Sequence, residues 1–224
     1  MHIVSVNVGA PRAVDSRGGS VSTAIFKESV VGRVGVRRLN LDGDRQADLT
    51  VHGGADKAVY AYPAEHYTYW QAELGRELPW ASFGENLTVE GLPLESELCI
   101  GDRIRAGTAE LAVTQPRLPC FKLGIRFGDQ HMVKRFLAAG RTGYYLRVLT
   151  EGEVEAGDEL ALLARHPAGV PVSEITRVYA HDRGDTEAVR RLLAVEALPE
   201  DWRPFLAKLL AGAEHEASEP THGG

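Results

Sequence analysis

The sequence predicts a mainly β domain followed by a small helical domain. From residue 1 to about 163, short runs rich in Val, Ile, Leu and Tyr alternate with Gly and Asp, as in an antiparallel sheet folded on itself. After residue 164 the pattern changes to three short helix-like segments. Strands at this density usually close into a barrel or sandwich, because closure removes unpaired edges. We therefore expect a β domain over 1–163, a three-helix domain over 164–213 and a disordered tail over 214–224.

The strand-like runs begin at the first residues and continue to the end of the predicted β domain. In chain order they read HIVSVNV, AIFKESVVGRVGVRRLNL, ENLTVEGL, LCIGDRIRAG, AELAVTQ and YYLRVLTEGEVEAGDEL. Gly-Asp pairs at 43–44, 101–102 and 157–158 mark places where these strands are expected to turn.

Two helices are predicted within the β domain. The first spans Pro63 to Leu74, with a proline suited to a first helical turn and a stop at Gly75. The second spans Asp129 to Ala139, with Asp129 as the N-cap and an apolar stripe along one face.

The three C-terminal segments read VSEITRVYAHD, DTEAVRRLLAVEAL and PEDWRPFLAKLLAGAEHE. Ser173 and Asp185 are the expected N-caps of the first two helices, and the second has an amphipathic stripe. Pro204 is expected to kink or delay the third helix, because proline lacks a backbone N–H. A domain of this size has to pack on the β domain or on a second subunit to be stable.

Composition and charge limit the classes of partner. The 224 residues hold 25 basic and 31 acidic side chains, for a net charge of −6, and residues 165–224 hold 7 of the basic and 10 of the acidic ones. Neither part is a basic arm, which argues against nucleic acid as a partner. No apolar run is long enough to cross a membrane, and the N-terminal stretch does not read as a signal peptide. We expect a cytoplasmic protein without a membrane partner.

The two cysteines have different surroundings in the sequence. They cannot form a disulfide framework or a four-thiolate zinc site. Cys99 lies between Leu98 and Ile100, which are expected to be buried, and is expected to be a structural free thiol that behaves as a small hydrophobe. Cys120 lies in TQPRLPCFKLG, and Arg117 and Lys122 beside it favour the thiolate, the form that acts as nucleophile and metal ligand. From these residues alone, a core cysteine between solvated charges is an equally good interpretation.

Four further stretches carry candidate binding residues. GDRQADLTVHGGADKAVYAY holds His52, Gly53 and Lys57, and its adjacent glycines let backbone amides approach an anion. A hydrogen-bonded structural histidine is the more common role for His52, and the spacing of a zinc site is missing. The other stretches contribute Asn86 in FGENLTVEG, the turn Arg141–Thr142–Gly143 in GRTGYYLRV, and Lys27 in AIFKES. None of these is specific alone.

Taken together and in this order, the motifs resemble one family, the MOSC domain, named for the C-terminal domain of molybdenum cofactor sulfurase. The stretches that carry the resemblance are TAIFK, QADLTVHGG, FGENLTVEGL, IGDRIRAG, PRLPC, GRTGYYLRV and GDEL. The similarity is strongest to YiiM-type bacterial members, which also have a three-helix C-terminal extension. It implies a closed or partly open β-barrel with a few helices and a small C-terminal helical domain.

The resemblance also implies a molybdenum–pterin cofactor, with Cys120 as the metal ligand and catalytic residue. A soft thiolate suits a heavy, dithiolene-bound metal. The pterin phosphate needs cations and backbone amides, and Asn86 is expected to bond the pterin amide edge. The implied cofactor-binding residues are Lys27, His52, Gly53, Lys57, Asn86, Arg117, Lys122, Arg141, Thr142 and Gly143.

The activity implied by the resemblance is reduction of N-hydroxylated compounds, such as N-hydroxylated purines. The chain has no flavin fingerprint and no cysteine set for an iron–sulfur cluster, so electrons would come from a separate flavin or iron–sulfur protein. Two alternatives stay open: sulfur transfer through a Cys120 persulfide, and a module that only binds the cofactor. Pyridoxal phosphate would need a Schiff-base lysine, and nothing marks Lys27, Lys57 or Lys122 for that role. A homodimer is compatible with the acidic balance.

Overall fold

The structure, a computed structural model, describes residues 1–16, 19–45 and 53–218. Most of the chain before residue 165 is organised around strands. They are β1 (His2–Val8), β2 (Arg12–Ser16), β3 (Gly19–Thr23), β4 (Glu28–Ser29), β5 (Val34–Val36), β6 (Val59–Pro63), β7 (Leu87–Glu90), β8 (Arg103–Ala106), β9 (Ala109–Pro116), β10 (Tyr144–Thr150), β11 (Gly152–Val154) and β12 (Leu160–Ala164).

Eight of these strands form one mixed sheet in the order β12-β8-β9-β10-β6-β7-β1-β4. All neighbours are antiparallel except β6 and β7, which pair in parallel with Ala61 opposite Leu87. The remaining strands make two small ribbons, β11 with β5 and β2 with β3. The prediction of a mainly β domain with a few helices is therefore confirmed.

The large sheet curls until β12, at one end of the strand order, approaches the start of β1, the second strand from the other end. The backbone N–H of Ile3 donates to the carbonyl of Asp158 at 2.9 Å, and that of Leu160 donates to Met1 at 3.0 Å. Among the described residues this contact is an isolated bridge between His2 and Glu159, not a full ladder. The sheet is thus partly open. Its interior is filled by aliphatic side chains from β1 and β6 to β10.

Six α-helices accompany the sheet in the described residues. They are α1 (Glu65–Leu74), α2 (Phe121–Phe127), α3 (Met132–Ala139), α4 (Val172–Ala180), α5 (Thr186–Ala194) and α6 (Arg203–Ser218). Short 3-10 turns lie at Ala55–Lys57 and Glu200–Trp202. None of the helices in these ranges has both the length and the apolar character needed to cross a membrane.

The helix boundaries differ from the sequence-based ones at several N-termini. The cap of α4 is Pro171 instead of Ser173, and α3 starts at Met132, after a turn in which the Asp129 carboxylate accepts from His131 N–H. Asp185 is the N-cap of α5, as predicted, accepting from the Ala188 N–H. Pro204 lies in the first turn of α6, where its missing N–H costs no helical hydrogen bond.

Two elements were not predicted. Helix α2 has only seven residues with a glycine in the middle. The ribbon of β2 and β3 is mostly exposed. Neither stretch therefore shows a clear periodic pattern of apolar residues. The strand-rich run AIFKESVVGRVGVRRLNL contains two short strands, β4 and β5, joined by irregular chain. Helix α6 extends to Ser218, into the segment predicted as a disordered tail from residue 214.

The helical part has its own apolar core and packs on the β domain. Its core is built from α4, α5 and α6 together with Ile100 of the β domain, and Leu118 packs against it. The indole N–H of Trp202 donates a hydrogen bond to the side-chain amide oxygen of Gln115 on β9. The loop Arg117–Cys120 therefore lies between the β domain and the helical part.

Candidate functional site at Cys120

Cys120 lies in the irregular loop between β9 and α2. It is half-buried and is the N-cap residue of α2, with extended backbone (φ −115°, ψ 173°). Pro116 ends β9 and Pro119 precedes the cysteine, so two rings restrict the backbone of this loop. The side chain faces two adjoining cavities, because Cys120 lines both of them.

The first of these, the cation-lined cavity, collects basic side chains from separate parts of the chain. Its basic side chains are Lys27, Arg45, Lys57, Arg117 and Lys122, and its one acidic side chain is Asp44. In a protein with a net charge of −6, this is a local excess of positive charge. Its enclosed space is about 100 Å³. Such a cavity favours an anion.

Arg117 is the most buried cation of the cavity and is incompletely bonded. Its side chain lies over the rings of Tyr60 and Phe136, 5.5 and 5.4 Å from their centroids. Burial alone would lower the pKa of Arg117, but Tyr60, Tyr145 and Cys120 raise it above its ordinary value. Its buried Nη1 has no hydrogen-bond partner among the described residues. A buried charged donor without a partner is costly, which favours a ligand at this point.

Lys27 is bonded to protein groups within the same cavity. Its Nζ forms a buried ion pair with the Asp44 carboxylate. Burial lowers the pKa of Lys27, and Asp44 opposes that change. Asp44 also accepts from the Gly9 N–H at 2.8 Å and from Asn86 Nδ2 at 2.9 Å. The Asp44 carboxylate thus neutralises Lys27, and Lys57 pairs with Asp201 at 3.5 Å. The excess positive charge is therefore carried by Arg45, Arg117 and Lys122.

Asn86 lines the cation-lined cavity, but its amide is largely committed to the protein. Its Oδ1 accepts from the Tyr60 N–H at 3.1 Å, and its Nδ2 donates to the Asn7 carbonyl and to Asp44. Next to it, Glu85 is completely buried and accepts from the N–H groups of Ala81 and Phe83 and from two hydroxyl groups. These two residues hold the floor of the cavity in place.

The Arg141–Gly143 turn adjoins the cation-lined cavity without lining it: the Arg117 N–H donates to the Gly143 carbonyl at 3.4 Å, and the Tyr60 hydroxyl donates to the Thr142 carbonyl at 2.8 Å. Arg141 Nη1 donates to His66 Nδ1 at 3.2 Å, and its guanidinium lies 4.4 Å from the centroid of the Tyr69 ring. Thr142 is fully buried. Gly143 has φ 62°, and a Cβ there would lie 2.5 Å from the Ala61 carbonyl, so the position requires glycine. None of the three lines either cavity at Cys120.

The carboxylate of Glu95 completes this second cluster. It accepts from His66 Nε2 at 2.9 Å and from the Gly143 N–H. Arginine can only donate, so His66 Nδ1 accepts and its Nε2 carries the proton. His66 and Glu95 are both buried. Within this turn, Glu95 accepts from the Gly143 N–H, and Arg141 is connected to it only through His66.

The predicted site residues thus fall into three sets. Lys27, Lys57, Asn86, Arg117, Lys122 and Cys120 line one cavity, and Arg141, Thr142 and Gly143 do not. Gly53 is half-buried, and His52 lies outside the described residues. Sequence reasoning missed Arg45, Tyr60 and Tyr145, which also line the cavity. Arg45 follows Gly43–Asp44 directly and could have been found from the charge beside that turn.

The two thiols differ in their surroundings. Cys99 donates weakly to the Glu97 carbonyl at 3.7 Å, between the fully buried Leu98 and Ile100. Burial first, and then Asp102, raise the pKa of Cys99. Cys120 faces a buried guanidinium, whose field favours a thiolate.

A soft-metal cofactor that brings its own ligands fits the donor set at Cys120. One thiol, an excess of cations and the partnerless Nη1 of Arg117 suit a metal with an anionic organic ligand. Within the described ranges, no group of three or more His, Cys, Asp or Glu side chains is placed to hold a metal. A metal held by a single protein thiolate requires further ligands from a cofactor.

Comparison with known proteins gives matches along most of the chain. The family model described as "MOSC domain" matches residues 48–161, and the one described as "YiiM-like, 3-alpha helix domain" matches residues 170–213. The uncharacterized protein YflK of Bacillus subtilis is 45% identical over 206 residues, which cover 92% of this chain and 93% of that protein.

A solved structure and a longer relative add to these matches. The crystal structure of YiiM from Geobacillus stearothermophilus is 36% identical, with a TM-score of 0.79, and the match covers 93% of this chain and 98% of that one. A protein of Gibberella moniliformis named "Reductase" is 36% identical over 165 residues, covering 72% of this chain but only 29% of that protein.

Proposed function

Because the chain belongs to the MOSC domain family and carries a YiiM-like three-helix domain, we propose that it binds a molybdenum–pterin cofactor and reduces N-hydroxylated compounds. The observation that carries the proposal is the position of Cys120 in a cavity with five basic side chains and the partnerless Nη1 of Arg117. A relative named as a reductase agrees with the class of reaction.

The residues that would hold the cofactor follow from the cavity. Cys120 supplies the thiolate for the metal, and Arg117, Lys57, Lys122 and Arg45 supply charge for a phosphate. When bound, the metal supplies two-electron redox chemistry that no side chain offers. Overall, the N–O bond of the substrate breaks, and two electrons with two protons convert its oxygen to water.

The chain itself contributes positioning and a protonated phenol. Tyr145 lines both cavities at Cys120. Burial is the largest effect on the pKa of Tyr145 and raises it, so the hydroxyl keeps its proton at neutral pH. It can therefore donate a hydrogen bond to the oxygen that leaves. Electrons would come from a separate flavin or iron–sulfur protein, the class of donor that the family resemblance implies.

The test is cofactor content followed by turnover. Protein made in a host that synthesises the cofactor should contain molybdenum and pterin in near-equal amounts, and should reduce an N-hydroxylated purine with a chemically reduced viologen as donor. Cys120→Ser should fold normally and lose this reduction, and the matched control Cys99→Ser should keep its activity per folded molecule.

Two outcomes would contradict the proposal. Turnover by Cys120→Ser at the wild-type rate would make the cysteine a core residue. A cyanide-labile persulfide on protein without molybdenum would instead indicate sulfur transfer.

A further inference from the structure

The second cavity at Cys120, the aromatic cavity, is walled by the helical part of the chain. Tyr179 from α4, Trp202 from the 3-10 turn and Phe205 from α6 form one side, and the β9–α2 loop forms the other. Its volume is about 380 Å³, within the range of small-molecule sites.

The aromatic wall is rigidly built. Trp202 meets Tyr179 edge-on, with centroids 6.0 Å apart, and Phe205 lies 5.6 and 5.9 Å from Tyr179 and Trp202. The indole N–H of Trp202 donates to Gln115 Oε1, which fixes the wall to strand β9. Aromatic faces held in place in this way favour a flat ring as ligand.

Charge at the aromatic cavity is balanced, unlike that of the cation-lined cavity. Lys57 is paired with Asp201 at 3.5 Å, and both side chains line the aromatic cavity. None of the other side chains that line the aromatic cavity is basic. An anionic cofactor is therefore drawn toward the cation-lined cavity, and a neutral ring suits the aromatic one.

One buried donor also points to a ligand. Gln115 is 3% exposed and lines the aromatic cavity, and its Nε2 has no hydrogen-bond partner among the described residues. Its Oε1 is taken by Trp202, which assigns the amide orientation. A ring nitrogen or carbonyl oxygen would satisfy this donor.

We infer that the aromatic cavity binds the flat heteroaromatic ring of the substrate, held by the Tyr179–Trp202–Phe205 wall and by a hydrogen bond from Gln115 Nε2. The ring then lies beside Cys120, which both cavities share. The inference rests on the proposed function for the reaction, but the ring site can be tested without turnover. If the substrate ring binds here, the helical part helps to determine which substrates the protein accepts.

The binding test uses 2-aminopurine, whose fluorescence is quenched by stacking, with cofactor-loaded full-length protein. Phe205→Leu and Gln115→Glu should each weaken binding about tenfold. The first removes a stacking face, and the second replaces the Nε2 donor with an acceptor while keeping the side-chain oxygen that accepts from Trp202. The matched control is Trp80→Leu, which removes an exposed tryptophan outside the aromatic cavity and should bind as the wild type does. Phe205 is only partly buried, so its leucine variant should keep the fold.

Kinetics separate this inference from the proposed function. Phe205→Leu should raise KM for an N-hydroxylated purine about tenfold and leave KM for acetamidoxime, which has no ring, unchanged. Equal effects on both substrates, or wild-type affinity of both variants for 2-aminopurine, would overturn the ring site. So would binding of 2-aminopurine by cofactor-free protein only, since the ring site would then be the cofactor's. If the wild type reduces neither substrate, the proposed function fails and the binding data alone decide the ring site.

Discussion

The cation-lined cavity and the Arg141–Gly143 turn look alike in the sequence and differ in the structure. Both combine arginine with backbone amides or polar side chains, as an anion site requires. In the turn, Glu95 accepts from the Gly143 N–H and from His66, and His66 accepts from Arg141. In the cavity, Arg117 Nη1 has no partner within the described residues. What distinguishes a binding site from a structural cluster here is which hydrogen-bonding groups the protein leaves unsatisfied.

The largest expected effect is on the structural cluster. Glu95→Ala should lower the free energy of unfolding by about 3 kcal/mol, because it leaves the Gly143 N–H and buried His66 without their acceptor. Denaturant unfolding of cofactor-free protein measures this loss. The same variant, corrected for its folded fraction, should retain cofactor normally. Loss of cofactor without loss of stability would reverse the roles of the two regions.

Removal of the buried guanidinium of Arg117 should have the opposite result: cofactor retention should fall while the stability of cofactor-free protein stays nearly unchanged. Arg117→Met keeps most of the apolar side-chain length and removes the partnerless donor. Cofactor retention should fall at least tenfold, corresponding to charge-assisted hydrogen bonds of about 1.5–3 kcal/mol. The free energy of unfolding of cofactor-free protein should change by less than about 1 kcal/mol, because the cost of burying the guanidinium is lost together with its contacts to Tyr60, Phe136 and Tyr145. Molybdenum and phosphate analysis of purified protein reads out the first effect. Normal retention would contradict the assignment of Arg117.

Arg141→Ala should have a smaller effect and serves as the matched control for Arg117. Its guanidinium is half-buried and contacts His66 and Tyr69, so we expect a loss of stability of about 1 kcal/mol. Cofactor content per folded molecule should stay at the wild-type value. A deficit in cofactor with unchanged thermal unfolding would support the anion-anchoring role that the family resemblance implies for this turn.

The smallest expected effect is a pH dependence of stability caused by Glu85, which lies beneath the cation-lined cavity. Burial is the main cause that raises the pKa of Glu85 above its ordinary value, and hydrogen bonds from Tyr67 and backbone N–H groups oppose it. The folded protein therefore binds this proton more tightly than the unfolded chain. Its contribution to stability is present below the ordinary pKa of glutamate and is lost as the pH rises through the raised value.

Urea unfolding between pH 4 and 7 tests this sign. The wild type should lose stability relative to Glu85→Gln as the pH rises, since glutamine does not titrate. A difference between the two proteins that stays constant over this range would contradict the raised pKa.

The sequence was sufficient for the architecture but only for part of the site. The density of Val, Ile and Leu between turns predicted the β domain. The amphipathic apolar stripe that follows the N-cap Asp185 predicted α5. Helix α2 was missed because seven residues around Gly124 carry little helical pattern. The run after residue 24 was recognised as strand-rich, but the sequence did not show that irregular chain separates β4 and β5.

Among site residues, the loop motif at Cys120 identified a cavity with Arg117 and Lys122, since these neighbours are local in sequence. The sequence could not show that Glu95 accepts a hydrogen bond from the Gly143 N–H, because these two residues are 48 positions apart. Nor could it show that α4 and α6 approach Cys120. Contacts of that kind depend on how the sheet curls and not on local pattern.

The packing of the helical part against the Cys120 loop sets the order in which the chain can complete its cavity during synthesis. Tyr179, Trp202 and Phe205 leave the ribosome after every strand of the sheet. Until they do, Leu118 and Ile100 have no apolar partner from the helical core, and one side of Cys120 faces water. The Cys120 thiol is therefore covered on this side only after α6 has been synthesised. A chain truncated before α4 would lack the aromatic wall beside Cys120. Oxidants could then reach the thiol from that side, and chaperones could bind the apolar surface that the helical part normally covers.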